Sequence, residues 1–436
     1  MQVEAIKRVL VSQREEIDEL FRTERIVPRR TPDLLRFLAR PNILAVLGVR
    51  RCGKSVLSNL LLRGMEYGFV NFDDERLSGI KARELDSVLE AMYSLHGPGL
   101  QYIVIDEAQN VPGWELFASR LRRTKRLLVT GSSAGLLSGE LAARLTGRYI
   151  DFTLLPFSFD EFMLVRNFRV SDEVIYSTKG IASLKSLLQS YISTGGFPEA
   201  AQLGQGILRR IYDDIVTKDA ILRYGVRYRA TFRDMARYLM ANSGHEITFS
   251  GLGRLFGLRD VHTVKNYVEF LSSVYLIFTL ERFSRRLKQR ALAPRKLYAI
   301  DTGLAGAVAP PESEARGRMM ENAVAVELLR RAQLSDRPRE LFYWKDHQQR
   351  EVDFVVVEGG RATELIQVCH HFEDERTERR ELDALARASR ELGCRRLTVL
   401  SWEMEDVLRH DGKRIHVTPL WKWLLGRGPG RTVRGP

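Results

Sequence analysis

The segment ILAVLGVRRCGKS, residues 43–55, decides the fold of this chain. Five apolar residues lead directly into a stretch that matches the phosphate-binding pattern G-x-x-x-x-G-K-[ST] in full. That pattern is informative only between a strand and a helix, and the apolar positions of residues 56–61 recur with helical spacing before Gly64. The segment therefore predicts a strand, a phosphate-binding loop and a helix. The alternative is a chance match in an ordinary turn.

The chemistry of such a loop follows from its residue types. Glycines allow successive backbone N–H groups to curl around phosphate oxygens, and the helix N-terminus adds a partial positive charge. Lys54 is placed to reach the β- and γ-phosphates of ATP, and the hydroxyl of Ser55 is placed to ligate Mg²⁺. The residues predicted to contact the nucleotide, ATP or ADP, are Gly48, Arg50, Arg51, Cys52, Gly53, Lys54, Ser55, Val56, Thr130 and Ser132.

An acidic motif follows later in the chain, where the apolar run Tyr102–Ile105 ends in Asp106 and Glu107. A carboxylate at the end of a nearby strand organises Mg²⁺ in such proteins, and the next acid is placed to direct the water that attacks the γ-phosphate. Asp106 is therefore predicted to bind Mg²⁺ with Ser55, and Glu107 is predicted to be catalytic with Lys54. The apolar run between the two motifs implies an extra strand between them.

Small polar and basic side chains follow the next apolar run. Thr130 or Ser132 is placed to touch the γ-phosphate or the attacking water, with a simple turn as the alternative. An arginine that neutralises charge in the transition state is predicted at Arg148, with Arg144 also suitable and a surface ion pair as the alternative. The three acids at 73–75 are typical of a solvated turn, with a place near Mg²⁺ as the alternative.

Short apolar runs alternate with helical patterns between about 41 and 155. Runs that are apolar on both faces are typical of a buried parallel sheet covered by helices, so the predicted fold class is α/β. The predicted strands here are Ile43–Leu47, Phe69–Phe72, Tyr102–Ile105, Leu127–Thr130 and Tyr149–Leu155. From 156 the pattern is mostly helical, and strands return at Leu297–Ile300, Leu341–Trp344, Val352–Val357, Leu365–Cys369 and Leu397–Ser401.

These changes of pattern predict five segments. Residues 1–30 form an N-terminal helix and a basic joint, and residues 31–155 form the P-loop core. Residues 156–295 form a mainly helical domain, and residues 296–425 form a mixed α/β domain. The last segment, GRGPGRTVRGP at 426–436, has almost nothing to bury and is predicted to be a disordered basic tail.

Together these segments resemble a known family, the AAA+-related P-loop ATPases of archaea and bacteria that carry a C-terminal restriction-endonuclease-like domain. The resemblance covers about residues 28–405 and implies an AAA+-like ATP-binding core. It also implies a helical and winged-helix middle, with a lid around Tyr191–Pro198 that closes over the nucleotide, and a PD-(D/E)XK nuclease-like end. The matching segments are Gly48–Ser55, Asn71–Glu75, Asp106–Gln109, Pro112–Trp114, Gly131–Ser133, Leu145–Arg148, Gly195–Glu199 and Leu297–Gly303.

The middle segment contains two helical patterns, Thr248–Gly257 and Val261–Ile277, around a turn with glycine. This arrangement is typical of a helix-turn-helix, whose second helix can enter a DNA groove. The side chains offered to DNA are His262, Thr263, Lys265 and Asn266, and a basic stretch follows with Arg282, Arg285, Arg286, Lys288, Arg290, Arg295 and Lys296. Such a stretch can contact phosphates; the alternatives are a lid, a protein contact or a solvated run of charge.

The C-terminal segment carries an incomplete version of the nuclease pattern that the resemblance implies. Glu321 opens an amphipathic helix and Asp353 lies in a strand, where two carboxylates can hold Mg²⁺. The next strand of an active enzyme supplies an acid and a lysine, but Gln367 and Cys369 stand at those positions. The prediction is a degenerate nuclease site in a fold that recognises nucleic acid or a partner, with cleavage as the alternative.

Composition limits the class of protein. The 436 residues carry 68 Lys and Arg against 55 Asp and Glu, a net charge of +13, which favours a polyanionic partner such as DNA over a solubility effect. No apolar run reaches the roughly 18 residues of a membrane-spanning helix, and the charged start of the chain and three isolated cysteines favour the cytoplasm. The predicted function is ATP hydrolysis with Mg²⁺ that drives conformational change on DNA. A nucleotide-gated interaction switch and an ATP-dependent nuclease are the alternatives, and a homo-oligomer is left open.

Overall fold

The computed structural model describes residues 2–137, 148–309, 315–370, 372 and 375–427. The chain divides into two compact units. The first unit comprises Met1–Leu155 with Ser273–Tyr275, and the second comprises Pro156–Ser272 with Leu276–Pro436. Among the helices of these described ranges, none is long and apolar enough to span a membrane.

The first unit is built on a five-stranded sheet in the order β2-β3-β4-β1-β5, in which all neighbouring strands are parallel. The strands are β1 (Ile43–Leu47), β2 (Tyr67–Asn71), β3 (Tyr102–Asp106), β4 (Arg126–Gly131) and β5 (Tyr149–Thr153). The helices are α1 (Val3–Thr23), α2 (Leu35–Leu38), α3 (Lys54–Leu61), α4 (Leu85–His96) and α5 (Trp114–Leu121). All five predicted strands are confirmed, with ends shifted by at most two residues.

The strand order brings the loop after β1 and the acids after β3 to one edge of the sheet, because the carboxyl ends of parallel strands lie together. The strand between β1 and β3 is β4, whereas β2 lies at the edge of the sheet. The prediction of an intervening strand is therefore correct in kind, but the run at 69–72 is not that strand. The run at 69–72 lies between the two motifs in the sequence, but the order of strands in this sheet differs from their order in the chain.

Helix α1 covers the edge of the sheet at β2. The amphipathic pattern predicts a helix over residues 1–22, and the structure places it at Val3–Thr23 with Ile6, Val9 and Leu10 buried. Gln13 Nε2 donates to the carbonyl oxygen of Asn71 at 3.0 Å, and Asn71 N donates to Gln13 Oε1 at 2.9 Å. A glutamine thus supplies both bonds of a missing neighbouring strand at the end of β2, which protects this edge from pairing with other chains.

The second unit is built on a nine-stranded mixed sheet in the order β13-β14-β12-β11-β10-β9-β7-β8-β6. The strands are β6 (Glu246–Ile247), β7 (Ile277–Arg282), β8 (Arg295–Ala299), β9 (Arg339–Lys345), β10 (Glu351–Glu358), β11 (Arg361–Cys369), β12 (Leu397–Ser401), β13 (Asp406–His410) and β14 (Lys413–Pro419). The predicted boundary between residues 295 and 296 falls inside β8, and the sheet runs across it.

The helices of the second unit flank this sheet or precede it in the chain. They are α6 (Phe159–Val165), α7 (Asp172–Tyr176), α8 (Thr178–Thr194), α9 (Pro198–Leu203), α10 (Leu208–Asp214), α11 (Arg229–Ala241), α12 (Phe249–Leu255), α13 (Val261–Ser273), α14 (Leu287–Leu292), α15 (Thr302–Val308), α16 (Ala315–Gln333), α17 (Glu375–Leu392) and α18 (Leu420–Leu424), with a π-helical segment at Ile215–Leu222 after α10. Of the predicted basic tail, only Gly426 and Arg427 lie within the described residues.

The hairpin of β13 and β14 is absent from the sequence predictions. β14 alternates polar and apolar residues and β13 has only the pair Val407 and Leu408, so neither strand shows a long apolar run. The turn between them carries Asp411 and Gly412, both with positive φ, of 48° and 69°. An Asp-Gly pair between two alternating segments is a strong hairpin signal, because a two-residue type I′ turn needs positive φ at both positions.

Two glycine-containing segments that carry the family resemblance meet inside the second unit. Asp301 Oδ2 accepts the backbone N–H of Gly196 at 2.6 Å, and Oδ1 accepts the N–H of Leu304 at 2.8 Å at the start of α15. A Cβ atom on Gly195 would lie 2.0 Å from Asp301 Oδ1, and one on Gly303 would lie 2.1 Å from the carbonyl oxygen of Thr194. These glycines are therefore required for close backbone packing, which gives the motifs a structural role.

We expect the stability of the protein to depend on pH through Asp301. Burial raises the pKa of Asp301 to about 6, although the N–H donors around it act in the opposite direction. Because the folded pKa lies above that of the unfolded chain, this group contributes stability that is fully present below about pH 4 and is lost as pH rises through about 6. Chemical unfolding at several pH values between 4 and 7 measures this slope.

The matched variant for this measurement is Asp301→Asn, which keeps the side-chain shape and cannot ionise. Its free energy of unfolding is lower at every pH, since its amide group faces the N–H of Gly196, but the contribution of this position to the slope disappears. An unchanged slope in Asp301→Asn would contradict the assignment of the titration to this residue.

Candidate functional site

The loop between β1 and α3 adopts a backbone conformation that few residue types allow. Gly48 and Gly53 have φ values of 143° and 96°, and Arg51 has a φ of 64°. A Cβ atom on Gly48 would lie 2.2 Å from the carbonyl oxygen of Leu154. Helix α3 begins at Lys54, so the N–H groups of its first turn open toward the loop. These features form a backbone cradle suited to phosphate oxygens.

The side chain of Lys54 is 4 % exposed and lies within this cradle. Its Nζ donates to the carbonyl oxygen of Val49 at 3.2 Å and lies 3.5 Å from Oε1 of Glu107. The ammonium thus connects the loop to the acid that follows β3. The predicted meeting of these two motifs, which are far apart in the sequence, is confirmed.

Asp106, the last residue of β3, is buried and held by two hydroxyl groups. Ser55 Oγ donates to its Oδ2 at 2.7 Å, and Thr130 Oγ1 donates to its Oδ1. Burial, and secondarily the charge of Glu107, raises the pKa of Asp106 to about 6. Carboxylate and hydroxyl oxygens are ligands that Mg²⁺ prefers, so the pair of Ser55 and Asp106 fits the predicted metal ion by its chemistry and its contact.

Glu107 is held in a strained backbone conformation, with a φ of 51°. Its N–H donates to Thr130 Oγ1 at 3.0 Å, and Gln109 Nε2 donates to its Oε2. One carboxylate oxygen is therefore turned toward Lys54 and the other toward Gln109. Residues in such sparsely populated conformations cluster at functional sites. This place of Gln109 is absent from the sequence predictions, although the residue lies within the motif Asp106–Gln109.

The residues predicted to sense the γ-phosphate are placed differently. The hydroxyl of Thr130 is engaged by Asp106 and by the N–H of Glu107, so it orients the two acids. The structure thereby gives Thr130 a supporting place, and its contact with phosphate or water stays a prediction. Ser132 follows directly after β4 and is buried at the same edge of the sheet.

Arg148 lies at the opposite end of the sheet from the loop. It precedes β5, and its carbonyl oxygen accepts the N–H of Ile43, the first residue of β1, at 3.1 Å. A strand rises about 3.3 Å per residue, so the length of β1 separates the Arg148 backbone from the loop by roughly 15 Å. Arg148 therefore does not reach the loop of its own chain, whereas the prediction does not specify whether the arginine acts on its own chain or on a neighbouring subunit. Arg144 lies outside the described residues.

Two arginines hold the loop in place. Arg29 Nη1 donates to the carbonyl oxygen of Cys52 at 2.8 Å, and its Nη2 donates to that of Leu155 at 2.5 Å. Arg50 Nη2 pairs with Asp73 Oδ2 at 3.0 Å, so this acid of the predicted turn supports the loop. In the sequence, Arg29 is only part of a basic joint, because no local pattern links that joint to the loop.

Three further residues of the loop and of α3 are predicted to contact the nucleotide. The thiol of Cys52 is buried and donates to the carbonyl oxygen of Leu154 at 3.3 Å, so this side chain faces the protein interior. The N–H of Cys52 donates to the carbonyl oxygen of Val49 at 3.4 Å. Arg51 and Val56 are half-buried on the loop and in the first turn of α3, and their contacts with the nucleotide stay predictions.

The carboxylates predicted to remain from a nuclease site also meet, within the second unit. Glu321 Oε1 and Asp353 Oδ1 both lie 2.7 Å from Nζ of Lys296. Gln367 Oε1 accepts the N–H of Asp353 at 3.2 Å, and Cys369 is buried at the end of β11. Lys296 was predicted to contact phosphates with the rest of the basic stretch, and its burial among carboxylates makes that prediction wrong.

Comparison with known proteins adds to this geometry. Residues 40–163 match a family model described as an AAA domain. MJ1544, an uncharacterized protein of Methanocaldococcus jannaschii, is 32 % identical over 407 residues, which cover 88 % of this chain and 89 % of the relative. The chain belongs to the same family as MJ1544. Within this MJ1544 family, the AAA match agrees with the predicted P-loop ATPase core.

Other matches of this MJ1544-family chain are less specific. Residues 185–315 and 316–423 match models described as domains of unknown function, DUF8612 and DUF4143. An uncharacterized protein of Haemophilus influenzae is 27 % identical over 362 residues, which cover 78 % of this chain and 85 % of that protein. The Walker-type ATPase paby2304 of Pyrococcus abyssi aligns with 66 % of this chain and 97 % of its own, at 15 % identity and a TM-score of 0.40. The restriction-endonuclease-like identity of the C-terminal segment stays a prediction.

Proposed function

We propose that this protein hydrolyses ATP with Mg²⁺ at the loop after β1 and uses the resulting change of state on DNA. One observation supports the enzymatic part above all others. Ser55 Oγ lies 2.7 Å from Asp106 Oδ2, and Lys54 Nζ lies 3.5 Å from an oxygen of Glu107. Two motifs some fifty residues apart thus bring a metal-binding pair and a lysine–carboxylate pair to one cradle of backbone N–H groups.

Each side chain then has a distinct task. The N–H groups of the loop and of α3 bind phosphate oxygens. The ammonium of Lys54 leaves Glu107 and binds the β- and γ-phosphates instead. Ser55 and Asp106 would hold Mg²⁺, which neutralises charge on the phosphate oxygens when it is bound. Glu107, once separated from Lys54, orients a water molecule at the γ-phosphate and accepts its proton, while Gln109 holds the other carboxylate oxygen.

Calorimetry and phosphate-release assays on the full chain test this proposal. We expect uptake of ATP and ADP in the presence of Mg²⁺, and release of phosphate that stops when EDTA removes the metal ion. Asp106→Asn should need at least about tenfold more Mg²⁺ for the same rate, because the metal site loses its charged ligand. Asp86→Asn, an exposed acid on α4, is the control.

Failure of the folded protein to bind either nucleotide would overturn the proposal. Tight binding without measurable turnover would favour the alternative function, a nucleotide-gated interaction switch. Phosphate release from the wild type that persists in EDTA would contradict the assignment of Ser55 and Asp106 to the metal ion.

The DNA-directed part of the proposal rests on the second unit. The elements from α11 to β8 follow one another as helix, strand, helix, helix, strand, short helix, strand. Apart from the short helix α14 between β7 and β8, this is the element order of a winged helix. At the start of α13, Asp260 Oδ2 accepts the hydroxyl of Thr263 at 2.8 Å, and Oδ1 accepts the N–H of His262 at 3.0 Å. An acid at this position disfavours phosphate contact there, so Thr263 is a weaker candidate than the sequence predicts.

Some cations of the basic stretch that follows α13 contact other protein groups, and others do not contact a carboxylate of the described residues. Arg290 and Arg295 both pair with Glu281, and Arg282 donates to the carbonyl oxygen of Lys345. Three other cations of the stretch are exposed between β7 and β8 and form no ion pair with a carboxylate in the described part of the chain. These three are Arg285, Arg286 and Lys288. We propose that these three side chains contact DNA phosphates.

Replacing these three cations by alanine is expected to weaken DNA binding and to reduce its salt dependence. Each lost phosphate contact lowers the slope of log K against log [salt] by about 0.9, so the triple variant loses up to about 3 from that slope. Binding measured by fluorescence anisotropy across a salt series gives this number. The charge-matched control is Arg169→Ala, Lys179→Ala and Arg210→Ala, three exposed cations elsewhere in the second unit. Equal slopes in the two triple variants would contradict the proposed contact.

A further inference from the structure

A buried lysine occupies the centre of the carboxylate cluster in the second unit. Lys296 lies on β8, and its side chain is 3 % exposed. Its Nζ lies 2.7 Å from Glu321 Oε1, 2.6 Å from Glu351 Oε1 and 2.7 Å from Asp353 Oδ1. An ammonium group has three N–H bonds to donate. One is donated to Asp353 Oδ1, and Glu321 Oε1 and Glu351 Oε1 lie at ion-pair distance, so three neighbouring carboxylates surround the charge of the ammonium.

The second oxygens of Asp353 and Glu351 are also engaged. Asp353 Oδ2 accepts the N–H of Val368 at 2.9 Å, and Glu351 Oε2 lies 3.3 Å from Nζ of Lys345. The hydroxyl of Tyr298 donates at 2.6 Å to Glu321 Oε1, the oxygen that also contacts Lys296.

This arrangement does not fit the divalent metal ion that a nuclease-like domain needs. Glu321 and Asp353 are the carboxylates that such a metal ion would bind, and one oxygen of each contacts the ammonium instead. A bound metal ion would also place two positive charges against Lys296, which cannot reach solvent from its buried position. The strand that should supply a further acid carries Gln367, and this side chain is committed to the N–H of Asp353.

We propose that the ammonium of Lys296 takes the place of the metal ion in this site, so that the domain binds no divalent cation there and cleaves no nucleic acid. The cluster instead ties β8 to α16 and β10, and it holds the proposed winged-helix elements to the proposed nuclease-like elements within one unit. The inference does not depend on ATP hydrolysis, because the first unit contributes no residue to the cluster.

The first experiment needs no change to the cluster. The full chain carrying Asp106→Asn, which weakens the proposed metal site of the first unit, is titrated with Mn²⁺ and followed by electron paramagnetic resonance. We expect no Mn²⁺ bound at up to about tenfold molar excess and no cleavage of single- or double-stranded DNA with Mg²⁺ or Mn²⁺. One bound Mn²⁺ that is lost on Asp353→Asn, or cleavage that is lost on that substitution, would overturn the proposal.

The second experiment removes the internal cation. In the same background, Lys296→Met keeps the length of the side chain and is expected to gain one Mn²⁺ site that is at least tenfold tighter than any in the parent chain. Lys296→Arg keeps the charge and should gain none. Lys296→Met leaves three buried carboxylates without their cation, and their repulsion can unfold the chain. The double variant Lys296→Met with Glu351→Gln has one negative charge fewer and serves as the alternative test protein.

Circular dichroism establishes which of these variants fold, and Tm in the presence and absence of Mn²⁺ gives a second measure of binding. A folded Lys296→Met chain, or the folded double variant, that is neither stabilised by Mn²⁺ nor able to bind it would overturn the proposal. A gain of Mn²⁺ by Lys296→Arg equal to that of Lys296→Met would also overturn it, since the charge at this position would then be irrelevant.

Discussion

Glu107→Gln should lower the rate of ATP hydrolysis by at least about 100-fold and leave ATP binding close to that of the wild type. A positioned general base contributes about 10²–10⁴ to such rates, and glutamine keeps the size of the side chain while removing its ability to take a proton. Because Gln109 already donates to one carboxylate oxygen, glutamine at 107 can still accept that bond. The loss therefore falls on the chemical step.

Lys54→Ala should give a different result, with both ATP binding and hydrolysis lost. Its ammonium is the charge that the buried loop offers to the β- and γ-phosphates, and alanine leaves Glu107 without its cation beside the incoming triphosphate. Calorimetry separates the two variants, and a coupled phosphate assay measures turnover. Glu90→Gln, an exposed acid on α4, controls for the loss of one negative charge from the same unit. Wild-type turnover by Glu107→Gln would remove this residue from the mechanism.

The largest loss of stability is expected for Gly303→Ala. A Cβ atom there would lie 2.1 Å from the carbonyl oxygen and 2.2 Å from the carbonyl carbon of Thr194. Both are backbone atoms at the end of α8, so no side chain can rotate away to relieve the clash. We expect a cost of about 3 kcal/mol or more, at the upper end of the range for overpacked sites, and a Tm lower by about 6–12 °C.

The same helix supplies a matched control. Gly306 also lies in α15, and a Cβ atom on it would have no atom within 4 Å. Gly306→Ala should therefore leave the stability unchanged or raise it by up to about 1 kcal/mol, because alanine favours a helix over glycine. Thermal unfolding followed by circular dichroism compares the two variants. A small effect of Gly303→Ala, similar to that of Gly306→Ala, would show that α8 and α15 can separate at little cost.

The nucleotide site could be predicted from the sequence because its information is local and directional. The strand, loop and helix at 43–61 are contiguous, and a strand ending in Asp106 must end at the same edge of a parallel sheet. The same reasoning places Arg148 away from the loop of its own chain, since a residue that precedes a parallel strand lies at the opposite edge of the sheet. The choice of Arg148 rested on the local motif and not on the strand pattern.

The second unit was harder to predict because its decisive contacts join distant residues. In the sequence, Lys296 is one of several cations in a basic stretch. In the fold, it contacts Glu321, Glu351 and Asp353, which are distant in the sequence. The same holds for Arg29 in the first unit, because its role is visible only in its contact with the carbonyl oxygen of Cys52. The hairpin of β13 and β14 is a different case, because its Asp-Gly turn was visible in the sequence but its strands lack a long apolar run.

The continuity of the nine-stranded sheet has a practical consequence for dissecting the protein. β7 pairs with β8 on one side and with β9 on the other. A fragment cut at residue 295 would strip β7 of both neighbours and expose open backbone edges to other copies, a situation that promotes aggregation. Activities measured on such pieces would report on misassembled material, whereas separation near residue 155 respects the pairing within each sheet.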